Sequence, residues 1–186
     1  KSCKTDVVTQ ADRDAQARVI EVIRAEYPGE PIVGEENGAL KTVPEAGPAW
    51  IVDPIDGTTN FVNDVRLWGT AVAAVNDGEP VGAAVVLPAL GDSYTADRGA
   101  AYRNGSEISV SDTAAPELAT IAPLLSWGRD RREAYATATP ALVTRYDDLR
   151  PVGSAQAPPS LTAHGSPAGR FPDLASQPGV SDGRVH

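Results

Sequence analysis

The stretch Trp50-Ile51-Val52-Asp53-Pro54-Ile55-Asp56-Gly57-Thr58-Thr59-Asn60-Phe61 limits what this chain can become more than any other part of it. Trp50–Val52 is apolar and β-branched and reads as a buried strand, ended by Asp53, with Pro54 stiffening the next step. Asp56 begins a turn, and Gly57 permits a positive φ or the close approach of a ligand. Thr58, Thr59 and Asn60 then offer hydroxyl and N–H groups where a short helix opens. Such an opening favours an anion, because the first N–H groups of a helix lack intrahelical acceptors and the macrodipole points outward. Carboxylates beside that cradle repel a phosphate unless a cation lies between them. The stretch is therefore a corner for metal plus phosphate, or else only a turn capped by two aspartates.

Around this corner the pattern is regular up to about residue 155. Ala15, Val19, Ile20, Val22 and Ile23 form a helical stripe that begins near Asp12 and stops near Tyr27-Pro28-Gly29. Short strands are expected at 32–34, 68–75, 81–87, 93–96, 101–103, 107–110 and 120–125, with a helix over 131–146. Asn76-Asp77-Gly78 and Asn104-Gly105 are hairpin turn signals. Hairpin strands with flanking helices imply a layered α/β fold, a mainly antiparallel or mixed sheet packed on helices.

Net charge is −9, which argues against a phosphate-backbone nucleic-acid binder, since that needs a basic face. No apolar run is long enough to span a bilayer. The single cysteine, Cys3, excludes an internal disulfide framework and fits a reducing cytoplasm. Methionine is absent, position 1 included, so an N-terminal segment is expected to precede Lys1.

A second acidic pair, Glu35-Glu36, follows the strand at 32–34. Adjacent acids are commonly a solvated surface pair. The alternative is a hard-cation site, because Mg²⁺ takes oxygen ligands and keeps positions for water and substrate phosphate. Glu35, Asp53 and Asp56 carry three negative charges, so two Mg²⁺ leave the site slightly positive, which suits a phosphate dianion. A phosphoaspartyl route of the haloacid dehalogenase type needs Asp-x-Asp, whereas the spacing here is Asp-x-x-Asp. No histidine precedes His164, which disfavours a Ser-His-Asp triad, and no EF-hand loop is present.

Gly34-Glu35-Glu36-Asn37 followed by Trp50–Phe61 resembles the inositol monophosphatase family of Mg²⁺-dependent sugar-phosphate phosphatases. Asp6 to Asp12, residues 85–105 and Arg150-Pro151-Val152-Gly153-Ser154-Ala155 match further stretches of that family. The resemblance implies an αβαβα layered fold and hydrolysis of inositol or sugar phosphates by a metal-activated water. It implies that Glu35, Asp53 and the Ile55 carbonyl hold a first Mg²⁺, with Asp53 bridging to a second held also by Asp56. Thr58, bonded to Asp12, would orient and deprotonate the attacking water, and the N–H groups of Gly57 and Thr58 would receive phosphate oxygens. Glu36 would support a third ion, Lys1 or Lys4 would lie near the metals unless each is simply a surface lysine, and Gly153, Ser154 and Ala155 would approach substrate hydroxyls. Taken singly, Asp12 reads as an exposed acid or N-cap, Thr58 as a capping hydroxyl and Gly153–Ala155 as a loop. Arg129, Arg131 and Arg132 read as a solvated helix start, or as a subunit or second-phosphate contact.

The family's Trp-Asp-x-Ala-Gly motif is missing, the last tryptophan being Trp127. Residues 156–186 hold two acidic and two basic residues, five prolines and both histidines, without an apolar period. They are expected to form an irregular tail, in place of a C-terminal third replaced by a frame change or premature end. The expected partner is a small phosphate ester, with homodimerisation in the intact protein. A remnant that binds a divalent ion weakly and turns nothing over is the alternative.

Overall fold

The structure, a computed structural model, describes residues 10–34, 39–110, 115–123 and 132–154. Helix α1 (Gln10–Glu26) buries Asp12, Gln16, Ile20 and Ile23, which recur every three or four residues and so share one face. Ile20 and Ile23 pack with Ile32 and Val52, flanked by Val19, Trp50 and Val72. Each isoleucine buried there contributes roughly 1.5–3 kcal/mol of transfer free energy. The other half of the stripe, Asp12 and Gln16, is polar. One helix therefore anchors the core with its C-terminal half and brings a carboxylate under the sheet with its N-terminal half.

Strands β1 (Ile32–Gly34), β2 (Pro48–Asp56), β3 (Gly69–Asn76), β4 (Glu79–Leu87), β5 (Asp92–Asp97), β6 (Ala101–Arg103) and β7 (Ser106–Ile108) form one sheet in sequence order. β1 and β2 are parallel, and every later pairing is antiparallel. Helix α2 (Thr58–Val62) follows β2. The hairpins β3–β4 and β6–β7 turn at Asp77-Gly78 and Asn104-Gly105, with φ of 53° and 78°, and of 50° and 80°. Two successive positive φ values match the right-handed twist of the strands. Gly69 admits no side chain, since a Cβ there would lie 2.5 Å from the Val86 carbonyl oxygen. A second apolar cluster, Leu87 and Tyr94 with Val85, Leu90 and Ile108, includes Val152 from far along the chain.

A separate parallel pair, β8 (Thr120–Ile121) and β9 (Asp148–Leu149), is joined through α3 (Arg132–Arg145). The fold thus carries the mixed sheet flanked by helices that the sequence implied.

The structure corrects two local expectations. β2 does not stop at Asp53: it runs on to Asp56 through a register shift between those residues. A bulge accommodates Pro54, which cannot donate to a regular ladder, and the Thr70 hydroxyl donates to its carbonyl at 2.8 Å. The strand expected over 120–125 is confined to Thr120–Ile121 among the described residues, and β9 was not foreseen.

Candidate active site

The end of β2 sets the site. After the bulge, Asp56 is buried, and Gly57 reverses the chain in the left-handed region at φ 82°, ψ 41°. The reversal is close-packed: a Cβ on Gly57 would lie 3.1 Å from the Ser154 Cβ and 3.2 Å from the Leu67 carbonyl oxygen. A side chain there would be strained by both conformation and space. α2 opens directly behind it.

Thr58 is the first residue of α2. Its hydroxyl lies 3.0 Å from the Ile55 carbonyl oxygen and 3.2 Å from Asp12 Oδ1. A hydroxyl has one hydrogen, so it serves one acceptor at a time and keeps lone pairs for an incoming donor. Asp12 is only 4 % exposed, in the first turn of α1, and is neither the exposed acid nor the simple cap that its position alone allowed. One turn further along α1, Gln16 is buried against Gly34, with Oε1 2.8 Å from where a Cβ on Gly34 would stand. Gly34 pairs with Val52, so β1 and β2 both lead in sequence to an acid, Glu35 and Asp53.

Asp53 is half-buried and Asp56 buried, and the Ile55 carbonyl, with one lone pair on Thr58, retains a second. These are oxygen donors, which fit a hard divalent cation. Among the described residues, no three His, Cys, Asp or Glu side chains are grouped closely enough to hold a metal. Glu35, Glu36, Ala155, Lys1, Lys4, Arg129 and Arg131 all lie outside the described residues. Arg132 opens α3 and is exposed.

Of the Gly153–Ala155 turn, Gly153 and Ser154 are described. Gly153 adopts φ 71°, and the buried Ser154 hydroxyl donates to Asp56 Oδ2. Sequence reasoning missed what holds this turn. Asn60 Nδ2 donates to the Leu67 carbonyl at 2.6 Å and to the Val152 carbonyl at 2.7 Å. Asn60 lies within Trp50–Phe61, but nothing local tells a clasp to residue 152 from a helix-opening amide.

The described residues thus form a mixed seven-stranded sheet flanked by helices, whose strand β2 ends in an acid-lined, left-handed glycine corner. A sequence profile of the inositol monophosphatase family matches residues 1–168. The chain is 35% identical over 170 residues to an inositol-1-monophosphatase of Rhizobium meliloti, covering 89% of this chain and 61% of the relative. It is 38% identical over 115 residues to a histidinol-phosphatase of Chlorobaculum parvum, covering 61% of this chain and 44% of the relative. A solved IMPase of Thermotoga maritima superposes with a TM-score of 0.75 at 32% identity, covering 86% of this chain and 60% of that one. The chain belongs to the inositol monophosphatase family. It spans 30% to 61% of the length of these and similar curated relatives. Among the described residues, no helix is long and apolar enough to cross a membrane.

Proposed function

We propose that the protein is a Mg²⁺-dependent phosphomonoesterase acting on an inositol or sugar phosphate. The observation that carries this reading is the Thr58 hydroxyl set between the buried Asp12 carboxylate and the Ile55 carbonyl, at the opening of α2. When bound, the cation neutralises phosphate charge and lowers the pKa of water, making a nucleophile at neutral pH. Glu35, Asp53, Asp56 and the Ile55 carbonyl would hold it. Thr58, donating to Asp12, accepts a hydrogen bond from the attacking water and passes its proton toward the carboxylate. The N–H groups of Gly57 and Thr58 accommodate phosphate oxygens at the helix opening. Names of relatives support more than one ester, so histidinol phosphate joins inositol 1-phosphate and fructose 1,6-bisphosphate as a candidate substrate. The same reading carries a cytoplasmic setting and a homodimer.

Phosphate release by the 186-residue chain from these three esters, with and without Mg²⁺, tests the reading. Release that requires Mg²⁺ and disappears in Asp53→Asn supports it, and equal release from that variant sinks it. A second reading of these 186 residues is a chain that binds a divalent ion without turnover. Calorimetric titration with Mg²⁺ separates the two, since coupled sites accompany the enzyme and a single weak site the remnant.

A further inference from the structure

The described contacts join the two ends of the site through one side chain that the proposed chemistry does not use. Asn60 has two amide hydrogens, and both are engaged, one on Leu67 and one on Val152. Its Oδ1 faces the adjacent turn, 2.9 Å from where a Cβ on Gly153 would stand. The next residue, Ser154, is 4 % exposed and donates to Asp56, itself 6 % exposed. A path therefore runs from α2 through Asn60 to Val152, around the left-handed Gly153 and through Ser154 to the carboxylate that ends β2. The path closes on itself, because Gly57 joins Asp56 to α2 and packs on Ser154.

We propose that Asn60 is a positioning residue: it holds the Val152–Ser154 turn so that Ser154 fixes the orientation of the Asp56 carboxylate for the cation. This rests on the metal reading above. Ser154 then acts on Asp56 in addition to any contact with substrate. A hydrogen bond from a hydroxyl to a carboxylate is charge-assisted, and in a buried setting it restricts the carboxylate to one plane. Outer groups that orient a ligand carboxylate typically govern metal affinity by about 10–100-fold.

The test is a double-mutant cycle on the full chain, read as the Mg²⁺ dissociation constant by calorimetry. Asn60→Ala and Ser154→Ala are each expected to weaken Mg²⁺ binding by about tenfold or more. The double variant is expected to be no weaker than the worse single one, because both changes release the same carboxylate. Asn104→Gly, which removes a side-chain clasp on Asp92 and Ser93 elsewhere in the sheet, should lower the melting temperature and leave Mg²⁺ affinity unmoved. If Asn60→Ala does not fold, Gly153→Ala presses a methyl against Asn60 Oδ1 and loosens the same contact from the other side. Mg²⁺ affinity within twofold of the parent in the folded variants, or additive losses in the double variant, overturns the positioning role while the parent's metal site stands. Failure of the parent chain itself to bind Mg²⁺ overturns the metal reading and this role together.

Discussion

The Thr58 hydroxyl reaches Asp12 Oδ1 at 3.2 Å, joining the first turn of α1 to the first residue of α2 across 46 positions of sequence. Both residues have an ordinary role available nearby, Thr58 on Ile55 and Asp12 at a helix start, yet the fold puts them together. Asp12 can be buried there because the polar half of the α1 stripe lies beneath the end of β2. If the pair handles the proton of the attacking water, then removing the hydroxyl with its shape kept, Thr58→Val, should lower phosphate release by about 10²–10⁴-fold. Thr58→Ser should retain most of it. A rate for Thr58→Val within threefold of the parent would remove Thr58 from the mechanism.

Gly57→Ala should be costly in stability as well as in turnover. The alanine would sit at φ 82° with its Cβ 3.1 Å from Ser154 and 3.2 Å from the Leu67 oxygen. Left-handed strain of about 1–3 kcal/mol, with the contacts added, should appear as a lower urea midpoint. An unchanged midpoint would mean that the corner is looser than its geometry indicates.

Tyr94 offers the opposite case. Its hydroxyl is buried without a hydrogen-bond partner among the described residues. Burial pushes its ionisation above the usual phenol range, against the opposing pull of Arg103. Removing a buried, unsatisfied hydroxyl costs nothing and recovers its desolvation, so Tyr94→Phe should leave thermal stability unchanged or raise it by about 1 kcal/mol. A clear loss on calorimetric melting would reveal a partner for the hydroxyl.

Asp97 should carry a small pH dependence. The N–H groups of Gly99 and Ala100 donate to its Oδ1 and hold its carboxyl below the usual carboxylate range. Because the folded value is the lower one, the stabilisation is complete above the unfolded value and is lost as pH falls through the folded one. An NMR titration of the Asp97 carboxyl carbon should show a midpoint below that of a model aspartate, and Asp97→Asn should remove that titration. A midpoint at or above the model value would dissolve the turn argument.

The parts of the fold visible in the sequence are those fixed by neighbours. Asp77-Gly78 and Asn104-Gly105 demand positive φ and deliver the two tight hairpins. The Ile20–Ile23 stripe demands a helix on the sheet. The bulge was hidden, because Pro54 in isolation reads as a strand terminator, and only the Thr70 bond and the antiparallel partner strand show how it is accommodated. The site was half visible. Asp53, Asp56, Gly57 and Thr58 announce themselves within a few residues, while the burial of Asp12, the Asn60 clasp and the Ser154 bond to Asp56 depend on chain segments far away. The helical period puts Asp12 on the same face of α1 as Ile20 and Ile23, but no periodicity encodes the Asn60 and Ser154 contacts. Glu35 and Ala155, which the family resemblance adds to the site, lie outside the described residues.

Pairings from β2 to β7 join strands that follow one another directly, whereas the contacts that close the site span 46, 92 and 98 residues. Loop-closure entropy delays such distant contacts relative to hairpins. During synthesis the meander can consequently take shape while the site is still open. Asp56 gains its serine only after residue 154 has left the ribosome, so nascent chains would carry the acidic corner for a time without the donor that orients it.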